Sequence, residues 1–143
     1  CILLIKPQIM QFITKDYTAE VVNTGGRKGY IKSSDGILDF PVSMPKELGG
    51  NGDHTNPEQL FAAGYAACFG GALSSVAKGI KALVSIGKTD AGAFGISAEL
   101  HVTIPNLSKE DATALVEAAH QVCPYSVATR GNIEVKIFAN EQV

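Results

Sequence analysis

The first third of the chain alternates apolar and polar residues in three short stretches that are separated by turn residues. Glycine and polar residues dominate the intervening segments at residues 24–29 and 33–36, as they do in tight turns. Alternation with a period of two between such turns predicts β-strands that pair as an antiparallel meander. The predicted strands cover residues 17–22, 30–32 and 37–42.

A long apolar segment follows an irregular loop at residues 45–53, which contains three glycines. Asn56 is suited to cap a helix, Pro57 fits its first turn, and Gln59 can complete a capping box. From residue 60 to residue 80, apolar residues cover nearly every helical face, which is typical of a buried helix. We therefore predict a helix that begins after Asn56 and continues to residue 80, and that packs between sheets or against a partner subunit.

The second half of the chain predicts two further strands, a second helix and a last strand. Residues 83–88 and 95–104 are expected to form a hairpin, and residues 133–138 alternate as a final strand. Ser108 is suited to cap the second helix, which we expect to end at Pro124. This order of strands and helices predicts the α+β class and not a doubly wound parallel sheet.

Composition and charge exclude several classes of function. The 143 residues fit a single domain, and the formal net charge of −2 argues against a nucleic-acid partner. No apolar stretch approaches the ~20 residues that span a bilayer, so we expect no membrane partner. Three cysteines without a disulfide framework favour a reducing compartment, and we expect the cytoplasm. Cys1 precedes the predicted strands and is interpreted as incidental.

Cys68 and Cys123 are the residues best suited to chemistry. Cys68 lies within the apolar helical segment, and Cys123 stands at the end of the second predicted helix. Their separation excludes a local Cys-x-x-Cys turn, and no second pair is present to form a zinc knuckle. The two thiols are interpreted either as a nucleophile with a resolving partner or as buried structural cysteines, because free cysteine is often buried.

The three histidines, His54, His101 and His120, suggest a metal site or a Cys–His hydrolase only weakly. None of them has a companion at the spacing of metal ligands, so we predict no metal site. Cys68 lies in mid-helix, without a glycine turn that could form an oxyanion hole. A hydrolase is therefore a poor interpretation.

A reactive Cys68 requires a cation from elsewhere in the chain, because apolar surroundings raise the pKa of a thiol. Arg27, in a glycine-rich turn, is the preferred candidate, and Arg130 is the other arginine of the chain. Glu58 can neutralise a buried guanidinium. However, Glu58 precedes Cys68 by ten residues, about 15 Å along a straight helix. A site that contains both groups requires a bent helix or a carboxylate from a second subunit.

Five stretches of the sequence carry a family resemblance. They are TGGR at residues 24–27, SSDG at 33–36, ELGG at 47–50, TNPEQLFAAGYAACF at 55–69 and VCPYSVATRGNI at 122–133. These stretches resemble the organic hydroperoxide resistance (Ohr) proteins of the OsmC/Ohr family, over roughly residues 17–139. Residues 1–16 are then expected to form an N-terminal extension, and residues 17–143 a single OsmC/Ohr-like domain.

The resemblance implies an intertwined homodimer of antiparallel sheets with two main helices, the central one buried. It also implies a thiol-dependent peroxidase that reduces alkyl and lipid hydroperoxides to alcohols. In that function Cys68 is the peroxidatic cysteine, Cys123 is the resolving cysteine, and Arg27 and Glu58 activate Cys68. The resemblance implies no bound cofactor. The implied electron donor is a dithiol such as dihydrolipoamide, supplied by a lipoylated protein or another reductant.

Apolar side chains are expected to form the substrate pocket and to favour organic hydroperoxides over hydrogen peroxide. The candidates are Phe61, Tyr65, Phe69, Leu48 and Met44. The alternative function is a thiol redox sensor, or a protein that binds a small apolar ligand, without turnover. Repeated consumption of hydroperoxide in the presence of a dithiol distinguishes the enzyme from both alternatives.

Overall fold

The computed structural model describes residues 10–141, which fold into two three-stranded sheets and three α-helices. The predicted α+β class is confirmed. The strands are β1 (Val21–Thr24), β2 (Tyr30–Ser33), β3 (Asp39–Pro41), β4 (Gly79–Lys88), β5 (Phe94–Thr103) and β6 (Val135–Ala139). The helices are α1 (Pro57–Ala72), α2 (Lys109–Val122) and α3 (Pro124–Thr129). Cys1 and most of the expected N-terminal extension lie outside the described residues.

Strands β4, β5 and β6 form the sheet on which the hydrophobic core is built. β4 pairs antiparallel with β5, as the predicted hairpin requires, whereas β6 pairs parallel with β5. A parallel neighbour needs a long crossover connection, and α2 and α3 provide it. On β5, Ala98, Leu100 and Val102 are at most 2% exposed. They cluster with Phe69 of α1 and Val116 of α2, so this sheet is covered by helices on one face.

Strands β1, β2 and β3 form a separate antiparallel meander, here called the N-terminal sheet. β1 begins at Val21, so the first residues of the predicted strand 17–22 precede regular structure. The register places Ile31 opposite Phe40, and alternation puts both on the face that also carries Val21. Among residues 10–141, the main hydrophobic cluster contains no residue of this sheet.

Helix α1 begins as the sequence predicts but ends earlier. The Asn56 side chain accepts a 2.8 Å hydrogen bond from the backbone amide of Gln59, which satisfies one of the free donors of the first turn. The predicted end at residue 80 is wrong, because α1 ends at Ala72. Ser74 and Ser75 follow with φ angles of 53° and 61°. Such left-handed residues cannot continue a right-handed helix, and β4 then begins at residue 79.

Helices α2 and α3 meet at Cys123. The Ser108 side chain caps α2 by accepting a hydrogen bond from the backbone amide of Asp111 at 3.1 Å, as predicted. Pro124 ends α2, as expected, but it also begins α3. A proline lacks the amide donor that an extended α2 would need, and it fits well in the first turn of a new helix. Cys123 therefore occupies a sharp corner between two helices.

Candidate active site

The two cysteines that the sequence singles out are adjacent in the structure. Cys68 lies about three turns into α1, and its Sγ atom is 3.5 Å from the Sγ atom of Cys123. Both thiols are free, Cys123 is fully buried and Cys68 is half-buried. A disulfide bond is about 2.05 Å long. The pair can therefore close to a disulfide after an approach of about 1.5 Å.

The surroundings of Cys68 disfavour its thiolate. Burial raises the pKa of the Cys68 thiol above its ordinary value, and the neighbouring Cys123 sulfur acts in the same direction. The backbone amide of Tyr125 lowers this pKa only in part. No cation of the described residues contributes to lowering it. Because the thiolate is the nucleophile, the thiol pair needs an additional positive charge to react rapidly near neutral pH.

Arg27 and Glu58 form a bidentate ion pair at the start of α1. Arg27 Nη2 lies 2.7 Å from Glu58 Oε1, and Nη1 lies 3.2 Å from Oε2. Gly25 and Gly26 both have positive φ angles and allow the tight turn that presents Arg27. The hydrogen bond from Arg27 lowers the pKa of Glu58, so the carboxylate is ionised at neutral pH. The Arg27 side chain is still 37% exposed and can contact a further group.

The ion pair and the thiol pair lie at different ends of α1. This helix is continuous from Pro57 to Ala72, so Glu58 and Cys68 are about 15 Å apart along its axis. Helix α1 does not bend so as to bring Glu58 and Cys68 of one chain together. A single chain therefore keeps the thiol pair and the ion pair apart.

The three aromatic residues expected in the substrate pocket lie one helical turn apart on α1. Tyr65 and Phe69 are fully buried and belong to the core. Phe61 is half-buried, and its ring meets that of Tyr125 edge-on with 5.9 Å between centroids. Within one chain, Phe61 is thus the aromatic residue of α1 with the greatest access to a ligand.

Met44 and Leu48, the other two pocket candidates, lie in the loop that precedes α1. Leu48 ends a short 3-10 turn at Lys46–Leu48. Met44 lines a small cavity together with His54 and Lys28. Since Lys28 follows Arg27 in the chain, Met44 lies on the side of the molecule that carries the ion pair.

Tyr125 is a site residue that the sequence patterns do not identify. Its backbone amide interacts with Cys68, and its ring centroid is 5.6 Å from that of Tyr65. A Cβ atom at Gly64 would lie 2.5 Å from the Tyr125 hydroxyl oxygen. Gly64 therefore permits the close approach of α3 to α1. The one feature of the sequence that could have identified Tyr125 is its position two residues after Cys123.

The histidines and Arg130 make contacts of their own. His101 lies 3.2 Å from Glu99 and stacks on Phe138, while Arg130 donates a hydrogen bond to the backbone carbonyl of His120. Within residues 10–141, no three His, Cys, Asp or Glu side chains gather in a way that could hold a metal ion. No helix in that range is long and apolar enough to cross a lipid bilayer.

Residues 50–138 match the family described as OsmC-like protein, and this segment is more than half of the chain. The chain belongs to the OsmC-like family. The resemblance inferred from five stretches of the sequence is thereby confirmed.

Individual OsmC-like relatives match over most of their length. The organic hydroperoxide resistance protein of Xanthomonas axonopodis pv. citri (strain 306) is 52% identical over 132 residues, which are 85% of this chain and 92% of that protein. The organic hydroperoxide resistance protein OhrB of Bacillus subtilis (strain 168) is 51% identical over 130 residues, with 85% of this chain and 96% of that protein covered.

Solved structures of the family have the same fold. The crystal structure of an organic hydroperoxide resistance protein from Elizabethkingia anophelis matches with a TM-score of 0.83 and 48% identity, covering 91% of this chain and all 100% of that one. The structure of OhrB from Bacillus subtilis matches with a TM-score of 0.77 and 48% identity, covering 86% and 98% of the two chains. The architecture of sheets and helices described above is therefore that of the OsmC-like family.

Proposed function

We propose that this OsmC-like protein is a thiol-dependent peroxidase that reduces organic hydroperoxides to alcohols. The observation that carries the proposal is the 3.5 Å contact between two free thiols, Cys68 and Cys123. One of them is partly accessible and the other is fully buried, as an attacking and a resolving cysteine should be. The relatives named organic hydroperoxide resistance proteins support the substrate class.

The proposed reaction has two steps before reduction. The Cys68 thiolate attacks the distal peroxide oxygen, so that an S–O bond forms, the O–O bond breaks and the alkoxide takes up a proton to leave as an alcohol. The resulting sulfenic acid reacts with the Cys123 thiol, an S–S bond forms, and the oxygen leaves as water. A dithiol then reduces the disulfide and restores both thiols.

The proposed activator of Cys68 is the Arg27–Glu58 ion pair of a second copy of the chain. Three observations support this: burial raises the pKa of Cys68, the ion pair of its own chain lies three turns away, and Arg27 is partly exposed. In a twofold homodimer with antiparallel α1 helices, each ion pair can approach the other chain's thiol pair. There the guanidinium stabilises the thiolate and donates hydrogen bonds to the developing alkoxide.

The test is turnover of cumene hydroperoxide in the presence of a dithiol. The unmodified protein should consume many equivalents, and Cys68→Ser should consume none. Without added dithiol, Cys123→Ser should consume one equivalent and then stall or overoxidise, because its sulfenic acid has no resolving thiol. Cys1→Ser is the matched control and should retain full activity. Activity of Cys68→Ser near that of the unmodified protein would exclude the proposal.

For the electron donor we propose a lipoyl dithiol, in the reducing cytoplasm that free thiols favour. A thin aliphatic dithiol can reach a half-buried sulfur, whereas a globular reductant such as thioredoxin must dock on exposed surface around it. Turnover with dihydrolipoamide should therefore exceed turnover with thioredoxin and its reductase. Equal or faster turnover with thioredoxin would contradict this choice. A redox sensor, the alternative function, would consume a single equivalent with either donor.

A further inference from the structure

The hydroxyl group of Tyr65 connects α1 to α3 across the core. Its oxygen lies 2.8 Å from Ser126 Oγ and 3.4 Å from Thr129 Oγ1. The three residues are 0%, 0% and 7% exposed. The Thr129 hydroxyl also donates a 2.9 Å hydrogen bond to the backbone carbonyl of Tyr125. Tyr65, Ser126 and Thr129 are called the hydroxyl cluster below.

The hydroxyl cluster fixes the two cysteines relative to each other. Tyr65 and Cys68 are three residues apart on α1 and thus lie on neighbouring parts of one helical face. Cys123 directly precedes α3, and its carbonyl accepts a 2.9 Å hydrogen bond from the Val127 amide of that helix. A displacement of α3 therefore moves Cys123. The contact that ties α3 to α1 also sets the distance between the two sulfur atoms.

We propose that the Tyr65 hydroxyl is a positioning group for the second step of the reaction, the attack of Cys123 on the Cys68 sulfenic acid. This inference rests on the proposed peroxidase function. Buried hydroxyl groups must find partners, so the cluster confines α3 to the position in which they are satisfied. Apolar packing alone is less directional and would allow α3 to shift.

The second step is sensitive to such a shift. The sulfur atoms must approach from 3.5 Å to about 2.05 Å, as the S–S bond forms, the S–O bond breaks and water leaves with the proton of Cys123. In an oriented reaction, a misplacement of about 1 Å can lower the rate by on the order of a hundredfold. The first step needs only Cys68 and the peroxide. Tyr65 should therefore affect disulfide formation and not peroxide attack.

The experiment compares the two steps in Tyr65→Phe, which lacks only the hydroxyl. The reduced protein is mixed with one equivalent of cumene hydroperoxide, dimedone traps the sulfenic acid, and mass spectrometry quantifies trapped adduct and disulfide over time. We expect an unchanged rate of Cys68 oxidation and disulfide formation at least about tenfold slower. Sulfinic acid should also form at lower peroxide concentrations, because the sulfenic acid persists.

Two further variants separate positioning from general loosening of the core. Ser126→Ala removes the partner hydroxyl and should slow the same step. Val116→Ala truncates a buried side chain of α2 outside the hydroxyl cluster and should form the disulfide at the normal rate despite lower thermal stability. The inference is overturned if Tyr65→Phe closes the disulfide at the normal rate, or if Val116→Ala slows it equally. If the unmodified protein forms no sulfenic acid, the proposed function fails, and this inference fails with it.

Discussion

The two sheets of the molecule differ in how far a single chain can bury them. In the sheet of β4, β5 and β6, Leu100 and Val102 are at most 2% exposed beneath the helices. In the N-terminal sheet, every residue of β1 is exposed, and the apolar face of Val21, Ile31 and Phe40 lies outside the main hydrophobic cluster. A small sheet whose apolar face is not covered is marginally stable in water. The comparison shows that one half of the chain buries its own apolar residues, whereas the other half leaves an apolar face that the proposed second copy can cover.

The two parts of the candidate site, the thiol pair and the ion pair, also belong to different halves of the chain. The thiol pair belongs to the half that buries its own apolar residues, because Cys123 and the neighbouring Tyr65 are fully buried in its core. The ion pair joins the turn after β1 to the start of α1. A second copy that covers the N-terminal sheet can therefore also complete the site. The predictions below test whether one contact between copies explains both observations.

The largest expected effect is the recovery of activity when two inactive variants are mixed. Glu58→Ala removes the carboxylate of the ion pair, and Cys68→Ser removes the nucleophile, so each homodimer should be inactive. If the ion pair acts on the other chain, a mixed dimer has one site with both defects and one complete site. Random exchange should then restore about a quarter of the normal activity per chain, because half of the dimers are mixed. A peroxidase assay after subunit exchange measures this recovery.

The control for this experiment is a mixture of two single variants, Cys68→Ser and Cys123→Ser. Both thiols of a site belong to the same chain. In a mixed dimer, one site therefore lacks Cys68, the other site lacks Cys123, and neither is complete. Mixing should therefore give no more turnover than the two variants show separately. An absence of recovery with Glu58→Ala, after mass spectrometry has verified exchange, would mean that the ion pair serves its own chain or has no catalytic role.

The next effect compares a fully buried residue of one sheet, Leu100, with a half-buried residue of the other, Ile31. Leu100→Ala should lower the free energy of unfolding by about 2–5 kcal/mol, because it creates a cavity in a closed core. Ile31→Ala should mainly weaken the dimer, since a covered aliphatic side chain contributes about 1.5–3 kcal/mol. Sedimentation equilibrium should show at least about tenfold weaker dimerisation for Ile31→Ala. A folded Leu100→Ala chain should dimerise normally. Unchanged dimerisation of Ile31→Ala would show that its face is not covered by a second copy.

Local signals in the sequence predicted where both long helices begin. The caps at Asn56 and Ser108 depend on a few adjacent residues, and both predictions were confirmed. The end of α1 was predicted wrongly, because Ile80 fits both an apolar helix and the inward face of β4. The parallel pairing of β6 with β5 depends on where a whole crossover connection leads, and strand alternation does not contain that information.

The candidate site shows the same limit. The residues around Cys68 and Cys123 left two interpretations open, a nucleophile with a resolving partner or two structural cysteines, and the family resemblance implied the first. The structure places the two cysteines in contact. Tyr65 was expected in a substrate pocket, yet it is fully buried, and its hydroxyl reaches Ser126 and Thr129, 61 and 64 residues further along the chain. Such contacts follow from the packing of α3 on α1, which a pattern along the sequence cannot specify.

The smallest expected effect is a shift in the pKa of Cys68 when Arg27 is replaced. Within one chain, burial raises this pKa. A guanidinium from the other chain would lower it, because a nearby positive charge favours the thiolate. Arg27→Gln should therefore raise the pKa, so that less thiolate is present near neutral pH and alkylation by iodoacetamide is slower. At more alkaline pH, Cys68 is fully ionised with or without Arg27→Gln, so the two alkylation rates should converge.

The measurement is the rate of alkylation against pH in a Cys123→Ser background, with mass spectrometry to distinguish the Cys68 peptide from that of Cys1. Arg130→Gln is the matched control, because it removes the same charge from the other arginine of the chain. That residue donates to the backbone carbonyl of His120, and its replacement should leave the profile of Cys68 unchanged. A shift in Arg130→Gln alone would assign the activating charge to Arg130. Superimposable profiles for all three proteins would contradict activation by either arginine and would leave the ion pair with a structural role between the N-terminal sheet and α1.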